Sequence, residues 1–401
     1  NFMFEAVLII YTLYTIAKIY ISVMEAKFVA SKKDGKAIIL SEKNFKEAGE
    51  YKIETSKISI VSSLYDLLIF FAWIGFGFKA LDSMIAFDNT LIYTVVFILS
   101  FSAVNFVLGL PFELYQTFNL DKRYGFSTID VKTYITDQIK GVTMFLVFGS
   151  LLIWLLAFII ESFESWWIYG FGAVFIVILF INMVYPTLIA PIFNKFTPLD
   201  NEELQSAIEN LLKKAGLKSS GVYKIDASKR DKRLNAYFGG LGKSKRVVLF
   251  DTLVKKLETK ELLAVLGHEL GHFKHGDIIK NIGASALMLF VMFAFFGNIP
   301  QSIFDGIGLE KSSHMILILF LLLSPVLSFL MMPLFGLLSR HNEYAADEYG
   351  SECESKEALA NALIKLADEN KSFPLSHPLT VAFYHTHPAL TERLEKLGVD
   401  V

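Results

Sequence analysis

Seven stretches of this chain are each about as long as a bilayer crossing, and almost every residue in them is apolar. A helix needs about 20 mainly apolar residues to cross the hydrocarbon core, because every backbone N–H and C=O must be satisfied within the segment. The stretches are Phe4–Met24, Ile58–Leu81, Thr90–Phe112, Gly141–Ile160, Trp166–Pro191, Asn281–Gly297 and Met315–Leu338, the sixth being the shortest. Composition agrees: of 401 residues, 53% are hydrophobic and 19% charged, against about 25% charged in soluble domains. A formal net charge of −2 offers nothing to nucleic acid. The expectation is therefore a mainly α, polytopic membrane protein. The first segment lacks a basic start and a small-residue cleavage pattern, so it reads as a retained span. The single cysteine, Cys353, has no partner for an intramolecular disulfide.

Lys and Arg fall unevenly between the two sets of loops. Eight Lys lie between Ala26 and Lys57, and Lys122, Arg123, Lys132 and Lys140 follow the third stretch. The Leu81–Asn89 and Glu161–Ser165 connections carry none, and Asn298–His314 carries only Lys311. By the positive-inside rule the basic loops are cytoplasmic. The N-terminus is then outside, and the C-terminus is cytoplasmic. Trp166 and Trp167 sit where an interfacial aromatic belt is expected. Lys18, Asp66, Asn105 and Asn182 lie inside spans, and polar groups there are expensive unless they face a bundle interior or a wet cavity.

Between the fifth and sixth stretches the composition turns polar. A helix is expected from about Asp200 to Lys214, capped by Gly216. Val222–Ile225, Asn235–Phe238 and Arg246–Phe250 read as strands. A second helix opens at Glu258 or Thr259 and carries His268-Glu-Leu-Gly-His272. On a helix His268 and His272 project from one face and can share a metal, while Glu269 reaches a metal-held water but is not a third ligand. A catalytic zinc takes three protein ligands and keeps one position open. Glu343, in Asn342-Glu-Tyr-Ala-Ala-Asp347, supplies the missing carboxylate, and Asp347 lies one turn further on the same face. These residues point to a gluzincin-type zinc peptidase. Zinc lowers the pKa of its water, Glu269 accepts the proton and later returns it to the leaving amine. Asp347 holds the outer N–H of a metal histidine, His268 being the natural partner. His275, His341, His377 and His385 read as surface or supporting histidines. A further helix is expected over Ser355–Ala367, with Ser355 as N-cap.

Several further motifs occur in order between Phe118 and Arg393. They are Tyr124-Gly-Phe-Ser127, Pro191-Ile-Phe-Asn-Lys-Phe-Thr-Pro198, Asn235-Ala-Tyr-Phe238, Gly267–His275, Asn342–Asp347 and His387-Pro-x-x-x-x-Arg393. With seven spans, these make the chain resemble the integral-membrane CAAX prenyl protease 1 family, multi-span zinc proteases that process prenylated C-termini. One departure is Gly239-Gly240, where family members often carry an aromatic and one Gly.

The resemblance implies a barrel-like bundle around a chamber, with a small α/β peptidase domain on the cytoplasmic side. It implies catalytic roles for His387 and Arg393, at the transition state and on substrate, beside Glu269. It also implies that Asn235 and Ala236 lie on an edge strand that pairs with substrate backbone. The expected organisation is a five-span region over 1–193, a peptidase segment with the zinc helix over 194–280, spans six and seven over 281–338, and C-terminal helices with the third ligand over 339–401. One zinc ion, membrane lipid and a peptide or protein substrate, with or without a lipid modification, are the expected partners. Two other readings compete: an HtpX-like membrane-protein quality-control protease with fewer spans, and a transporter or scaffold with a degenerate site. The intact His268, Glu269, His272 and Glu343 argue against the latter.

Overall fold

The computed structural model describes residues 1–401. Seven helices are long and apolar enough to cross a membrane: α1 (Phe2–Lys32), α2 (Glu42–Met84), α3 (Thr90–Arg123), α4 (Val131–Ser162), α5 (Trp166–Phe193), and two more beyond the polar insertion. That insertion contains β1 (Phe196–Pro198), α6 (Glu202–Lys214), β2 (Val222–Ile225), β3 (Ala236–Gly239), β4 (Arg246–Phe250), α7 (Asp251–Lys256) and α8 (Thr259–Lys274). The chain continues through α9 (Asp277–Gly297), a short α10 (Gln301–Ile307) and α11 (Ser313–Cys353), of which α9 and α11 are the sixth and seventh spans. It ends with α12 (Lys356–Glu369), α13 (Pro378–Tyr384) and α14 (Leu390–Lys396). The seven spans expected from hydropathy are all present.

Caps mark where helices begin. Ser41, Asn89, Asp130, Asn201, Ser312 and Ser355 each accept a backbone N–H of the first turn, satisfying donors that a helix leaves free. Lengths then decide what protrudes. α11 has 41 residues, about 60 Å at 1.5 Å per residue, against about 30 Å of hydrocarbon. One helix thus both spans and projects a polar end, despite Pro325 and Pro333 inside it. Glu343 and Asp347, expected on one helical face, both lie on this projection.

A core of 25 buried residues ties the spans together, among them Phe70, Trp73, Phe78, Phe97, Phe101, Phe293, Phe296 and Phe304. Trp166, expected in an interfacial belt, is instead buried against Phe293 of α9. The sheet has order β1-β2-β4-β3, with β2 parallel and β3 antiparallel to β4. β3 is therefore an edge, one residue later than the stretch expected. β1 has three residues and ends in Pro198, which cannot donate to a ladder, and the sequence carries no strand pattern there.

A second core joins this sheet to α8 through Ile208, Leu211, Val247, Leu249, Leu262, Leu266 and Leu270. Each such side chain contributes about 2 kcal/mol on burial. This packing fixes α8 against the sheet.

Only nine positions separate His272 from Asn281, short enough for α8 to run directly into the sixth span. Gly276 breaks it in the left-handed region (φ 70°), and the span starts anew at Asp277. A Cβ makes that conformation costly, so glycine is the residue for the turn.

Candidate active site

α8 presents Leu262, Leu266 and Leu270 to the sheet core, and its start is closed by a capping box between Glu258 and Glu261. Its other face packs on α11 with almost no side chain between. A Cβ on Gly271 would lie 2.9 Å from Ala346 Cα, and one on Gly350 would lie 2.8 Å from the His268 backbone N. These glycines let two backbones approach closely enough for Glu343 and Asp347 to meet His268 and His272.

The result is a compact donor set. His268 Nε2 is 3.4 Å from Glu343 Oε2, and His272 Nε2 is 3.2 Å from Glu343 Oε1. On the outer side His268 Nδ1 lies 2.8 Å from Asp347 Oδ1, and His272 Nδ1 lies 3.0 Å from Asp277 Oδ2. A neutral imidazole that donates through Nδ1 keeps a lone pair on Nε2. Two such lone pairs therefore converge on a carboxylate, and Glu343 Oε2 is buried with no hydrogen-bond partner. A metal ion held between them would satisfy all three groups at once. Four-coordinate zinc with bonds of about 2.0–2.1 Å holds its donors roughly 3.3 Å apart, so the spacing fits that ion. Burial alone would lower the His268 pKa, but the neighbouring Asp347 and Glu343 carboxylates outweigh it and push the pKa up to about 9. His272 is raised too, burial opposing and the bonds to Glu343 and Asp277 prevailing.

Glu269 faces the same hollow from α8. Burial raises its carboxyl pKa, against the pull of both histidines, which moves it towards the basicity a proton acceptor needs near neutral pH.

The C-terminal segment closes the site. His387 Nε2 lies 3.4 Å from Glu343 Oε1, and its side chain is 59% accessible. Burial nonetheless lowers its pKa. Arg393 is buried and grips Asp347 with two bonds, Nε to Oδ2 at 2.8 Å and Nη2 to Oδ1 at 2.7 Å. The residue expected on substrate is thus also tied to the carboxylate behind His268.

Asn235 and Ala236 lie at the start of edge strand β3. The Asn235 side chain accepts from the Ala236 N–H at 2.8 Å, and its backbone carbonyl accepts from Phe250. Asn235, Tyr237, Phe238 and Gly239 face a cavity of about 660 Å³ between α5 and α9, where Asn182 also points. Asp66 does not line it. The Gly239-Gly240 departure has a local cause: a Cβ on Gly239 would meet Pro186 at 3.1 Å, and one on Gly240 (φ 92°) would clash with Ser244 O at 2.5 Å.

The remaining histidines stay outside. His275 packs on Tyr349, His341 is exposed, and His377 caps α13. His385 lines a second cavity, of about 590 Å³, beside His387. Asp277 was not legible as a partner of His272. The only signal was an acidic residue shortly after the motif, behind a glycine.

Comparison with known proteins follows this geometry. A family model described as "Peptidase family M48" matches residues 198–399, and one described as "CAAX prenyl protease N-terminal, five membrane helices" matches residues 26–195. The chain is 33% identical over 393 residues to the CAAX prenyl protease 1 of Saccharomyces cerevisiae, covering 89% of this chain and 86% of that protein. It is 29% identical to the Homo sapiens CAAX prenyl protease 1 homolog, covering 90% and 87%. The crystal structure of S. mikatae Ste24p superposes with a TM-score of 0.89 at 30% identity, covering 98% of this chain and 99% of that one.

Proposed function

The chain belongs to peptidase family M48, as a multi-pass membrane metalloprotease of the CAAX prenyl protease 1 type, and from that premise we propose that it binds one zinc ion and cleaves near the C-terminus of lipid-modified peptides. The observation that carries the reading is the convergence of His268 Nε2, His272 Nε2 and a Glu343 carboxylate whose buried Oε2 has no hydrogen-bond partner, next to an unpaired strand edge. The quality-control protease with fewer spans is not favoured, because all seven helices and the five-helix membrane region are present.

His268, His272 and Glu343 would hold the metal. Bound there, zinc supplies Lewis acidity, acidifying a water and polarising the scissile carbonyl. Glu269, with its raised pKa, takes the proton of the attacking water and delivers it to the departing amine. His387, on the hollow beside Glu343, donates to the oxygen on which negative charge develops. Asp347 fixes the His268 tautomer, and Arg393 holds Asp347. Arg393 Nη1 takes no part in the Asp347 bonds, and is the N–H we assign to substrate.

The substrate backbone adds to β3 at Asn235 and Ala236 as a further strand, which satisfies edge groups that sheet pairing leaves open. The cavity against β3, with 11 hydrophobic residues among its 17, would take the lipid chain, with Asn182 and Asn235 as its polar contacts. The basic loops support an orientation with the N-terminus outside and the metal on the cytoplasmic side.

The test is cleavage by the purified protein of a farnesylated C-terminal peptide against the same peptide without the lipid. Preferential cleavage of the farnesylated peptide is expected. Equal cleavage of both would reject the lipid requirement, and resistance of both would reject the substrate class.

A further inference from the structure

The two imidazoles of the donor set are held from behind by carboxylates on different membrane helices. Asp347, on α11, takes His268, whereas His272 Nδ1 lies 3.0 Å from Asp277 Oδ2, on the first residue of α9. Asp277 is 2% exposed, and its other oxygen accepts from Lys280 at 2.8 Å. On an unbroken helix a residue five places after His272 would point about 140° away from it. The left-handed Gly276 interrupts the helix and folds Asp277 back beneath the ring. The carboxylate also sits in the first turn of α9, where unpaired backbone N–H groups and the helix dipole favour negative charge, and Lys280 adds to that.

We propose that Asp277 is a positioning residue for the metal centre: it accepts the Nδ1–H of His272, fixes the tautomer with the Nε2 lone pair towards the metal, and ties that ligand to the start of the sixth span. The inference rests on the reading of His272 as a metal ligand. An anionic acceptor makes the bond charge-assisted and raises the basicity of Nε2. It also gives the metal centre a mechanical link to the substrate side. Ile278, Asn281, Ile282 and Ser285, on the next two turns of α9, line the cavity against β3. A shift of the sixth span that widens this cavity must move Asp277, and through it His272.

The experiment measures zinc affinity by chelator competition on full-length wild type, Asp277→Ala, Asp277→Asn and Lys280→Ala. It is accompanied by the visible spectrum of each protein with cobalt in place of zinc, and by the melting temperature of each metal-free protein. Asp277→Ala should bind zinc about 10- to 100-fold more weakly, the usual effect of losing a partner behind a metal histidine, and its cobalt spectrum should change. Asp277→Asn keeps a neutral acceptor and should recover part of the loss. Lys280→Ala leaves the carboxylate on His272 in place and should weaken zinc binding less than Asp277→Ala does. A purely structural role would lower the metal-free melting temperature of Asp277→Ala without altering zinc affinity or the cobalt spectrum, and that result overturns the proposal. Failure of the wild-type protein to bind zinc would overturn the metal reading itself.

Discussion

Glu269 and the three donors can be told apart by what their loss removes. Glu269→Gln takes away the proton acceptor and leaves His268, His272 and Glu343 in place. Zinc content should equal wild type while turnover falls about 10²- to 10⁴-fold, as metal analysis beside a peptide-cleavage assay would show. His268→Ala or Glu343→Ala should lose metal and activity together, and full zinc retention in either would remove that residue from the donor set. Asp347→Asn should weaken zinc binding or activity by about 10- to 100-fold, with unchanged values for both removing it from the support of the metal centre. The sequence made Asp347 legible because Glu343 and Asp347 are four apart on one helix, so their shared face follows from periodicity alone. Asp277 was illegible for the converse reason. Its approach to His272 depends on a change of helix direction, which periodicity does not contain. The buried grip of Arg393 on Asp347 joins α14 to α11 across 46 residues, and no local rule connects them.

The element that assembles the centre is the contact between α8 and α11, which exists because glycines line it. Gly271→Val should force the helices apart, since the new Cβ meets the backbone of Ala346 at 2.9 Å rather than a side chain able to move. Overpacking of this kind costs about 1–3 kcal/mol. We expect a variant that still inserts and folds but has lost most of its zinc, measured by metal content and thermal melting. Wild-type zinc content would mean that close helix contact is not what sets the donor spacing. At this scale the spans were legible from hydropathy, because crossing a bilayer demands length and apolarity over about 20 residues. β1 and the break at Gly276 were not. A three-residue strand has no period to read, and a glycine in a helical pattern is usually tolerated.

For the whole molecule, the question is whether the first spans only anchor the peptidase or help build its site. The contacts favour the second. The His377 N–H donates to Glu25 of α1 at 2.8 Å, just ahead of α13, and Phe383 within α13 stacks on Phe329 of α11. Phe373 packs on Phe45 of α2, and the Ser41 N–H donates to Asp368. The segment that delivers His387 is therefore clamped by α1 and α2, a long-range arrangement that a hydropathy profile does not encode even though it counts the helices. Glu25→Ala leaves the N–H of His377 without its buried acceptor. It should lower kcat by up to about 10²-fold, the scale of a misplacement of about 1 Å far from the chemistry, with zinc content unchanged because no metal donor is touched. Deleting α1–α3 should remove peptide cleavage even where the remainder inserts and retains zinc. If that truncated protein cleaves peptides with normal efficiency, α1–α3 are an anchor, and the site is an open one outside the bundle rather than one enclosed by it.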